Sequence, residues 1–425
     1  MRICIFEDHG VIDLEPLSLT RPAFDLFCGF SPISSKLARY FAPCTVGTLV
    51  RPYLAELQRQ GRPDEPVNDG DWLRQGPVVL VNGRWLPPDG PRPEYNRRCV
   101  GVIGNDVAYA VLTPDAVGEL SPATIDECLD EWKRTLPQRD AGGAMIARPW
   151  DLIGCNGAEI ARDFAARSEK GPSARPMDFS LVGTAGKLSI DPSARIDPQV
   201  VADTTNGPVI IDRDAVIGAF TRLEGPCYVG PGTQVLGAKV RAGTSLGRCC
   251  RVGGEIEASV IQGFSNKYHD GFLGHSYVGE WVNIGAGTQT SDLRNDYGEV
   301  ILTQGGLRVA TGSSKVGSFI GDHAKIGIGA LLNTGTNLGA FTGILPAGRL
   351  LPRYVPSFCN VNHGVLAEGE DPELLFATAQ EVMRRRGVEL SEAHLEVYRA
   401  VFEQTASQRQ EMLRESERPR LRRSA

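Results

Sequence analysis

Six histidines lie in this chain, and two of them, His269 and His275, stand six residues apart in the stretch Tyr268–Thr288, YHDGFLGHSYVGEWVNIGAGT. Imidazole has an ordinary pKa of ~6.5, so it takes and returns a proton near neutral pH. That suits acyl transfer, in which a base removes a proton as an amine attacks a thioester and hydrogen-bond donors steady the oxyanion. His269 is the candidate base. His275 reads as a packed neighbour and His323 as a solvent-facing turn residue, while His9, His363 and His394 carry no signal beyond composition. Arg241 has the forked guanidinium that binds a phosphate through two hydrogen bonds, or is a solvated turn arginine. Arg21 and Lys36 flank a loop after the first predicted strand, where α/β folds bind phosphate, or are surface charges.

The elements that must position these groups are of two kinds. From Ile211 an aliphatic residue recurs every six positions, at Ile217, Leu223, Val229 and Val235, again at Val278 and Ile284, and again at Ile320, Ile326, Leu332, Leu338, Ile344 and Leu350. Glycine follows several of them, as in Ile217-Gly218 and Ile326-Gly327. A fixed hexapeptide period predicts a parallel β-helix: one short strand and one turn per unit, the aliphatic residue inward, glycine at the corner. Of 49 glycines, 30 fall between Leu181 and Leu350, so this stretch has a different architecture from its flanks. The period breaks between Gly263 and Leu273 and between Ser291 and Val316, where loops leave a binding face.

The first ~170 residues read as α/β. Ile3–Phe6, Val78–Val81 and Val107–Leu112 are predicted strands, Ala123–Trp132 a helix, and Ala165–Pro176 a linker. Past Cys359 the repeat stops. Asp371 with Pro372 predicts a helix start, Leu375, Ala379 and Val382 an apolar stripe, and Gly387 its end. Ser391 starts a second helix with Leu395, Tyr398 and Phe402, and Arg418–Arg423 reads as a solvated tail. The expected organisation is residues 1–170 as an α/β domain, 171–360 as a β-helix and 361–425 as a helical tail.

Composition excludes several classes. The net charge of −6 argues against a nucleic-acid binder. No run of eighteen apolar residues predicts a membrane span, and the first residues lack a signal-peptide pattern. The ten cysteines include no CxxC pair, which predicts reduced thiols and a cytoplasmic location.

The segment Tyr268–Thr288 resembles the acetyltransferase half of bifunctional N-acetylglucosamine-1-phosphate uridyltransferases, which join a nucleotidyltransferase domain to a left-handed β-helix. Asn283-Ile284-Gly285-Ala286-Gly287-Thr288 matches their coil motif, and counting back places His269 on the catalytic histidine and Gly274 on the glycine after it. Phe272 stands where the family has a sugar-contacting tyrosine. Arg241-Ala242-Gly243 resembles the phosphate-gripping arginine motif. The lysine of the second phosphate contact is absent at Ser259, with Lys267 close by. Asn295 and Tyr297 are candidate counterparts of a motif that follows the coil. The resemblance also implies that backbone N–H groups of Gly327–Ala330 meet the oxyanion or the acyl carrier.

The front of the chain resembles predicted sugar nucleotidyltransferases through Pro16–Pro22 with Asp25, Val81-Asn82-Gly83-Arg84, and Pro149–Leu152 with Asn156. It departs from them in Glu7-Asp8-His9-Gly10, which has one glycine where a phosphate-cradling loop has several, and in Asn82, which replaces a metal-binding aspartate. Asn156 remains the candidate metal ligand. The resemblance implies a sugar-nucleotide enzyme that moves an acetyl group from acetyl-CoA to an amino-sugar phosphate. It further implies Mg²⁺ for nucleotidyl transfer, sugar phosphate or sugar nucleotide as partner, neither nucleic acid nor membrane, and a homotrimer. Two alternatives stay open: a catalytically reduced sugar-nucleotide-binding or regulatory relative, and a hexapeptide-repeat zinc enzyme, which needs three histidines.

Overall fold

The computed structural model describes residues 1–90, 97–167, 178–346, 348 and 350–417. Part of the expected linker, from 168 onward, and the basic run Arg418–Arg423 lie outside the described residues. Ala165 and Ala166 close a helix.

The front of the chain is a six-stranded sheet with helices packed against it. Its strands are β1 (Arg2–Phe6), β2 (Thr45–Leu49), β3 (Val78–Asn82), β4 (Cys99–Ile103), β5 (Asp106–Leu112) and β6 (Gln138–Asp140). They lie in the order β2-β1-β3-β5-β4-β6. β1 pairs parallel with β2 and β3, and β5 runs antiparallel to β3. β1 and β3 are central and buried almost throughout, which is why they read as continuous apolar runs. Its longest helices are α1 (Ile33–Phe41), α2 (Ile125–Thr135) and α3 (Pro149–Ala166).

Beyond Ser180 the chain winds into a three-sided parallel β-helix. The three sheets hold six, nine and ten strands. One inward column runs Ile211, Val229, Leu246, Ile261, Val278, Ile320, Leu338, Val355, each the register partner of the next. Burying each such side chain is worth about 1.5–3 kcal/mol, so the column is a major source of the solenoid's stability. The coil continues through the first expected break, where Asn266–Lys267 and Phe272–Gly274 are strands. The period vanishes from the sequence there because Lys267 takes the inward place after Val252. The second break is a true excursion, with a hairpin of Ile301–Gln304 and Leu307–Ala310 before the coil resumes at Ser318.

One corner carries a stack of aromatic rings: Phe264, Trp281, His323, Phe341 and Phe358. Successive centroids lie 4.2, 6.2, 4.6 and 4.9 Å apart with interplanar angles of 9–16°. All five residues have positive φ, between 51° and 62°. That conformation costs a non-glycine residue about 1–2 kcal/mol, and ring stacking contributes about 0.5–1.5 kcal/mol per pair against it. His323 is therefore a buried rung, 3 % exposed, and not the solvent-facing residue expected. Its Nε2 lies 2.8 Å from the Tyr398 hydroxyl. Tyr398 belongs to α5 (Glu392–Gln404), which packs on the ladder with α4 (Pro372–Arg384); α6 (Ala406–Glu417) follows. The Asp371 carboxylate accepts from the Glu373 N–H as the predicted cap of α4, and Gly387 has φ 69°.

The front domain is fastened to the β-helix by buried polar groups. The Arg21 guanidinium reaches Asp322 and Glu280, and the Thr20 hydroxyl donates to Asp322 at 2.7 Å. The Asn156 amide donates to the Gly243 carbonyl and the Ser245 hydroxyl, and its oxygen accepts from the Gly29 N–H. Within the front domain, Lys36 of α1 is 3 % exposed between Glu159 and Asp163 of α3.

Candidate functional site

The coil motif builds the floor of the site. A Cβ on Gly285 would sit 2.7 Å from Gly327 and Ile328 backbone atoms of the next coil, so only glycine allows that stacking. Gly287 turns the corner at φ 71° and donates to the Asp270 carbonyl. This ties the coil to the loop Tyr268–Gly271. Gly271 has φ 133°, and a Cβ there would collide with the Thr288 carbonyl at 2.1 Å. His269 is exposed on this loop, its ring edge-to-face with Tyr268 at 5.0 Å.

Lys267 holds the loop from beneath. Its side chain is 2 % exposed in the solenoid interior, and Nζ donates to the His269 carbonyl at 2.5 Å. Burial pulls the Lys267 ammonium down to about 8, against the opposing charge of Asp270. The result is an open cavity of about 360 Å³ bounded by His269, Tyr268, Asn283, Asn266, Arg251 and Ile328. Two of the expected residues, His269 and Asn283, thus share one cavity. Arg251 and Asn266 were not legible as site residues; Lys267, the candidate to replace the absent phosphate-contacting lysine, instead takes an inward hexapeptide position and serves the His269 loop.

Other expected residues lie elsewhere. Arg241 is half exposed and faces Glu224, Glu255 and Glu257 at 3.1–3.8 Å. A phosphate there would meet three carboxylates, so the phosphate-gripping role gives way to a surface charge network. Asn295 and Tyr297 sit on the excursion loop and do not line this cavity; Tyr297 is 75 % exposed. Arg21 is buried in ion pairs that dock the front domain on the β-helix, and Lys36 in ion pairs with α3 inside the front domain, which leaves neither for phosphate. The Asn156 amide is consumed by three hydrogen bonds at the same seam and is no metal ligand. The Gly327 and Gly329 N–H groups donate to Ile344 and Ala286 carbonyls, so neither is free for an oxyanion.

His275 is more than a packed neighbour. Its Nδ1 lies 2.7 Å from an Asp292 carboxylate oxygen, and its ring faces a cavity of about 650 Å³ against Trp150, Asp151 and Lys315. Burial works against the ionised Asp292, yet the His275 hydrogen bond and the charges of His275 and Lys315 hold its carboxyl below the usual range.

The crevice at the carboxyl ends of β1 and β3, where an α/β sheet binds nucleotide, is filled by the chain itself. The Arg84 guanidinium, 3 % exposed, donates to Asp8 at 2.8 and 2.7 Å, to Asp106 at 3.2 Å and to the Ile146 carbonyl at 3.1 Å. The Asn82 amide donates to Asp8 and the Val107 carbonyl. A Cβ on Gly10 would meet the guanidinium at 2.6 Å, so the single glycine of this loop makes room for arginine. A hard cation favours several carboxylate oxygens. Here the one carboxylate on Asn82 is already neutralised by Arg84, so these residues do not fit Mg²⁺. Among the described residues no group of three or more histidine, cysteine or acidic side chains could hold a metal ion.

Residues 3–171 match the family described as sugar nucleotidyl transferase. The chain is 38 % identical over 152 residues to a bifunctional sugar-1-phosphate nucleotidylyltransferase/acetyltransferase of Sulfurisphaera tokodaii, covering 33 % of this chain and 36 % of that protein. It is 33 % identical over 251 residues to the bifunctional protein GlmU of Azoarcus sp. (strain BH72), covering 56 % of this chain and 49 % of that protein. It is 31 % identical over 159 residues to GlmU of Heliobacterium modesticaldum, covering 36 % and 33 %. In each of these three alignments the chain spans less than half the length of the curated relative. A solved UDP-N-acetylglucosamine acyltransferase of Francisella novicida is 12 % identical with a TM-score of 0.26, covering 52 % of this chain and 87 % of that one, a likeness too weak to carry an argument. The front of this chain is a sugar nucleotidyl transferase-like domain, and the chain resembles in part the bifunctional nucleotidylyltransferase/acetyltransferases.

Proposed function

We propose that the chain is a transferase of sugar-nucleotide metabolism whose chemistry lies in the β-helix. There it moves an acetyl group from acetyl-CoA to the amine of an amino-sugar phosphate. The observation that carries this reading is that His269 and Asn283 share one open cavity on a loop braced from within by Lys267. The amine nitrogen attacks the thioester carbonyl carbon, the carbon–sulfur bond breaks, and the His269 imidazole takes the amine proton and passes it to the departing thiolate. The Asn283 and Asn266 amides are placed to orient the acceptor.

A homotrimer belongs to the proposal. Ile328, Leu345 and Leu350, apolar side chains of the solenoid, are 75, 53 and 57 % exposed, and an interface of closed symmetry would cover such residues. A cytoplasmic location is consistent with ten free thiols and with the lack, among the described residues, of any helix apolar and long enough to cross a membrane. The Asp8–Arg84 pair favours a second reading for the front domain alone, as a non-catalytic module that docks or regulates. Thiol release from acetyl-CoA with glucosamine 1-phosphate tests the first reading, and wild-type protein giving no release above the uncatalysed rate would end it. Calorimetry with nucleoside triphosphates tests the second, which expects no binding at the crevice of β1 and β3.

A further inference from the structure

Beside the His269 cavity lies another of about 310 Å³, which shares Arg251, Asn266 and Asn283 with it. One wall is the solenoid and the other is the end of α4. Four cations face this space: Arg251, Lys325, Arg385 and Arg386. Among the described residues none of the four forms an ion pair. The Arg386 guanidinium donates to the Cys249 carbonyl at 2.9 Å and to Asn266 Oδ1 at 2.6 Å, and Lys325 Nζ donates to the Trp281 carbonyl at 2.7 Å. These bonds hold Arg386 and Lys325 in place without neutralising them.

The contrast with the neighbouring surface is direct. One residue earlier on α4, Arg384 is paired with Glu381, and on α5 Arg399 is paired with Glu373 and Glu392. In a chain with net charge −6, four unpaired cations around one small cavity are a concentration of like charge that repels itself. The repulsion registers at Arg386, whose charged form is disfavoured first by burial and then by Arg251, with Arg385 adding to it. The Arg386 guanidinium and the Lys325 ammonium, held by these bonds, and the exposed guanidiniums of Arg251 and Arg385 offer donors that match the oxygens of a phosphate group.

We propose that this junction is an anion subsite, which takes a phosphate or pyrophosphate group of a ligand whose other end enters the His269 cavity. The C-terminal end of α4 is then part of the binding site, through Arg385 and Arg386 that directly follow it, and the adjoining cavities form one groove with Asn283 at the join. The phosphate has two possible carriers, a nucleotide-bearing acyl donor or a phosphorylated sugar acceptor. The subsite rests on the reading of His269 only for which end reacts, because binding of a bare anion does not depend on it.

The test is calorimetry on the full chain with inorganic pyrophosphate, comparing wild type with the double variant Arg251→Ala/Arg385→Ala. Both residues are exposed, so the variant is expected to fold, and Arg385→Glu alone serves as a charge-reversed second variant. Affinity should fall at least tenfold in the double variant, as for loss of charged hydrogen bonds, and wild-type affinity should weaken steeply with added salt. Coenzyme A against pantetheine and glucosamine 1-phosphate against glucosamine then separate the carriers: the pair whose phosphate-dependent difference vanishes in the variant supplies the anion. Absence of pyrophosphate binding to wild type, or equal affinity in wild type and both variants, overturns the subsite. If His269→Ala keeps full transfer activity while the double variant loses pyrophosphate, the subsite stands and the assignment of the base falls. If His269→Ala is inactive and the double variant binds like wild type, the reverse holds.

Discussion

The two ends of this molecule handle arginine in opposite ways. At the carboxyl ends of β1 and β3, Arg84 is buried, donates twice to Asp8 and fills the crevice that an α/β sheet ordinarily offers to a nucleotide. At the junction of β-helix and α4, Arg251, Arg385 and Arg386 stand around an open cavity with no carboxylate partner among the described residues. A cation that is satisfied inside the protein holds structure, and one left facing solvent with like charges is available to a ligand. The family likeness covers the front of the chain, yet the open, chemically equipped surface is on the solenoid.

The largest effect that could break this contrast is at His269. His269→Ala should lower kcat for acetyl transfer by about 10²–10⁴ with KM little changed, the usual range for a general base. His275→Ala should leave kcat within about threefold, with its cost appearing as lost stability where Asp292 is left alone. Steady-state thiol release with purified variants measures both. Loss of activity only in His275→Ala would move the base to the cavity beside Trp150.

Next in size is the closed crevice. Arg84→Met strands the buried Asp8 carboxylate and should destabilise the chain by about 3–5 kcal/mol, as breaking one half of a buried pair does. Asp8→Asn/Arg84→Met, which removes both charges, should recover most of that. Urea unfolding of the three proteins measures the coupling. Transfer activity per folded molecule should be unchanged throughout. A fall in kcat parallel to the lost stability would mean that the two regions work as one.

Much of the solenoid was legible because its physics is periodic: one inward aliphatic residue per strand and one glycine where coils stack closely. The period failed where a different residue type took the inward place, and Lys267 is that case. His269 and Asn283 were legible through the coil motif. Arg21, Lys36 and Asn156 do not bind phosphate or metal as expected, because a charged or amide side chain near a predicted loop looks the same in sequence whether it meets a ligand or another part of the protein. Only the fold reveals that Asp322 and Ser245 of the β-helix meet Arg21 and Asn156, and that Glu159 of α3 meets Lys36. The aromatic ladder was hidden because its rungs are about three hexapeptides apart, a full coil, with the excursion loop interrupting the count between Trp281 and His323.

A smaller effect sharpens the open side. Lys267→Met places an unbranched apolar side chain in the inward column and removes the hydrogen bond to the His269 carbonyl. A buried ammonium drawn down to about 8 is costly to keep, so the melting temperature should hold or rise. A loop freed from its brace misplaces the imidazole, so kcat should drop about tenfold with KM near wild type. Unchanged kcat with raised stability would show that the lysine contributes nothing to positioning.

The smallest effect concerns the ladder that keeps α4 and α5 against the open cavity. His323 Nδ1 is buried without a hydrogen-bond partner, while Nε2 faces the Tyr398 hydroxyl. The neutral ring with Nε2–H donating to Tyr398 satisfies this geometry, and protonation would add an N–H that nothing accepts. Burial, and then the charges of Lys325, Arg21 and His394, push the His323 imidazole well below its usual range. With the folded pKa below the unfolded one, the unfolded chain binds more protons in the interval between them. Stability should therefore rise with pH through that interval, by at most ~1.4 kcal/mol per unit, and level off above ~6.5. In His323→Phe the rung still stacks but cannot titrate, and it loses the Tyr398 bond, worth about 0.5–1.5 kcal/mol. The variant should thus be the less stable protein at about pH 7.5 and should close the gap as pH falls towards about 5, because wild type alone pays for keeping the ring neutral. Urea midpoints of both proteins across that range read the difference directly, and titrations common to both cancel. A gap that stays constant with pH would show that His323 does not titrate on unfolding and that the gap reflects the Tyr398 hydrogen bond alone.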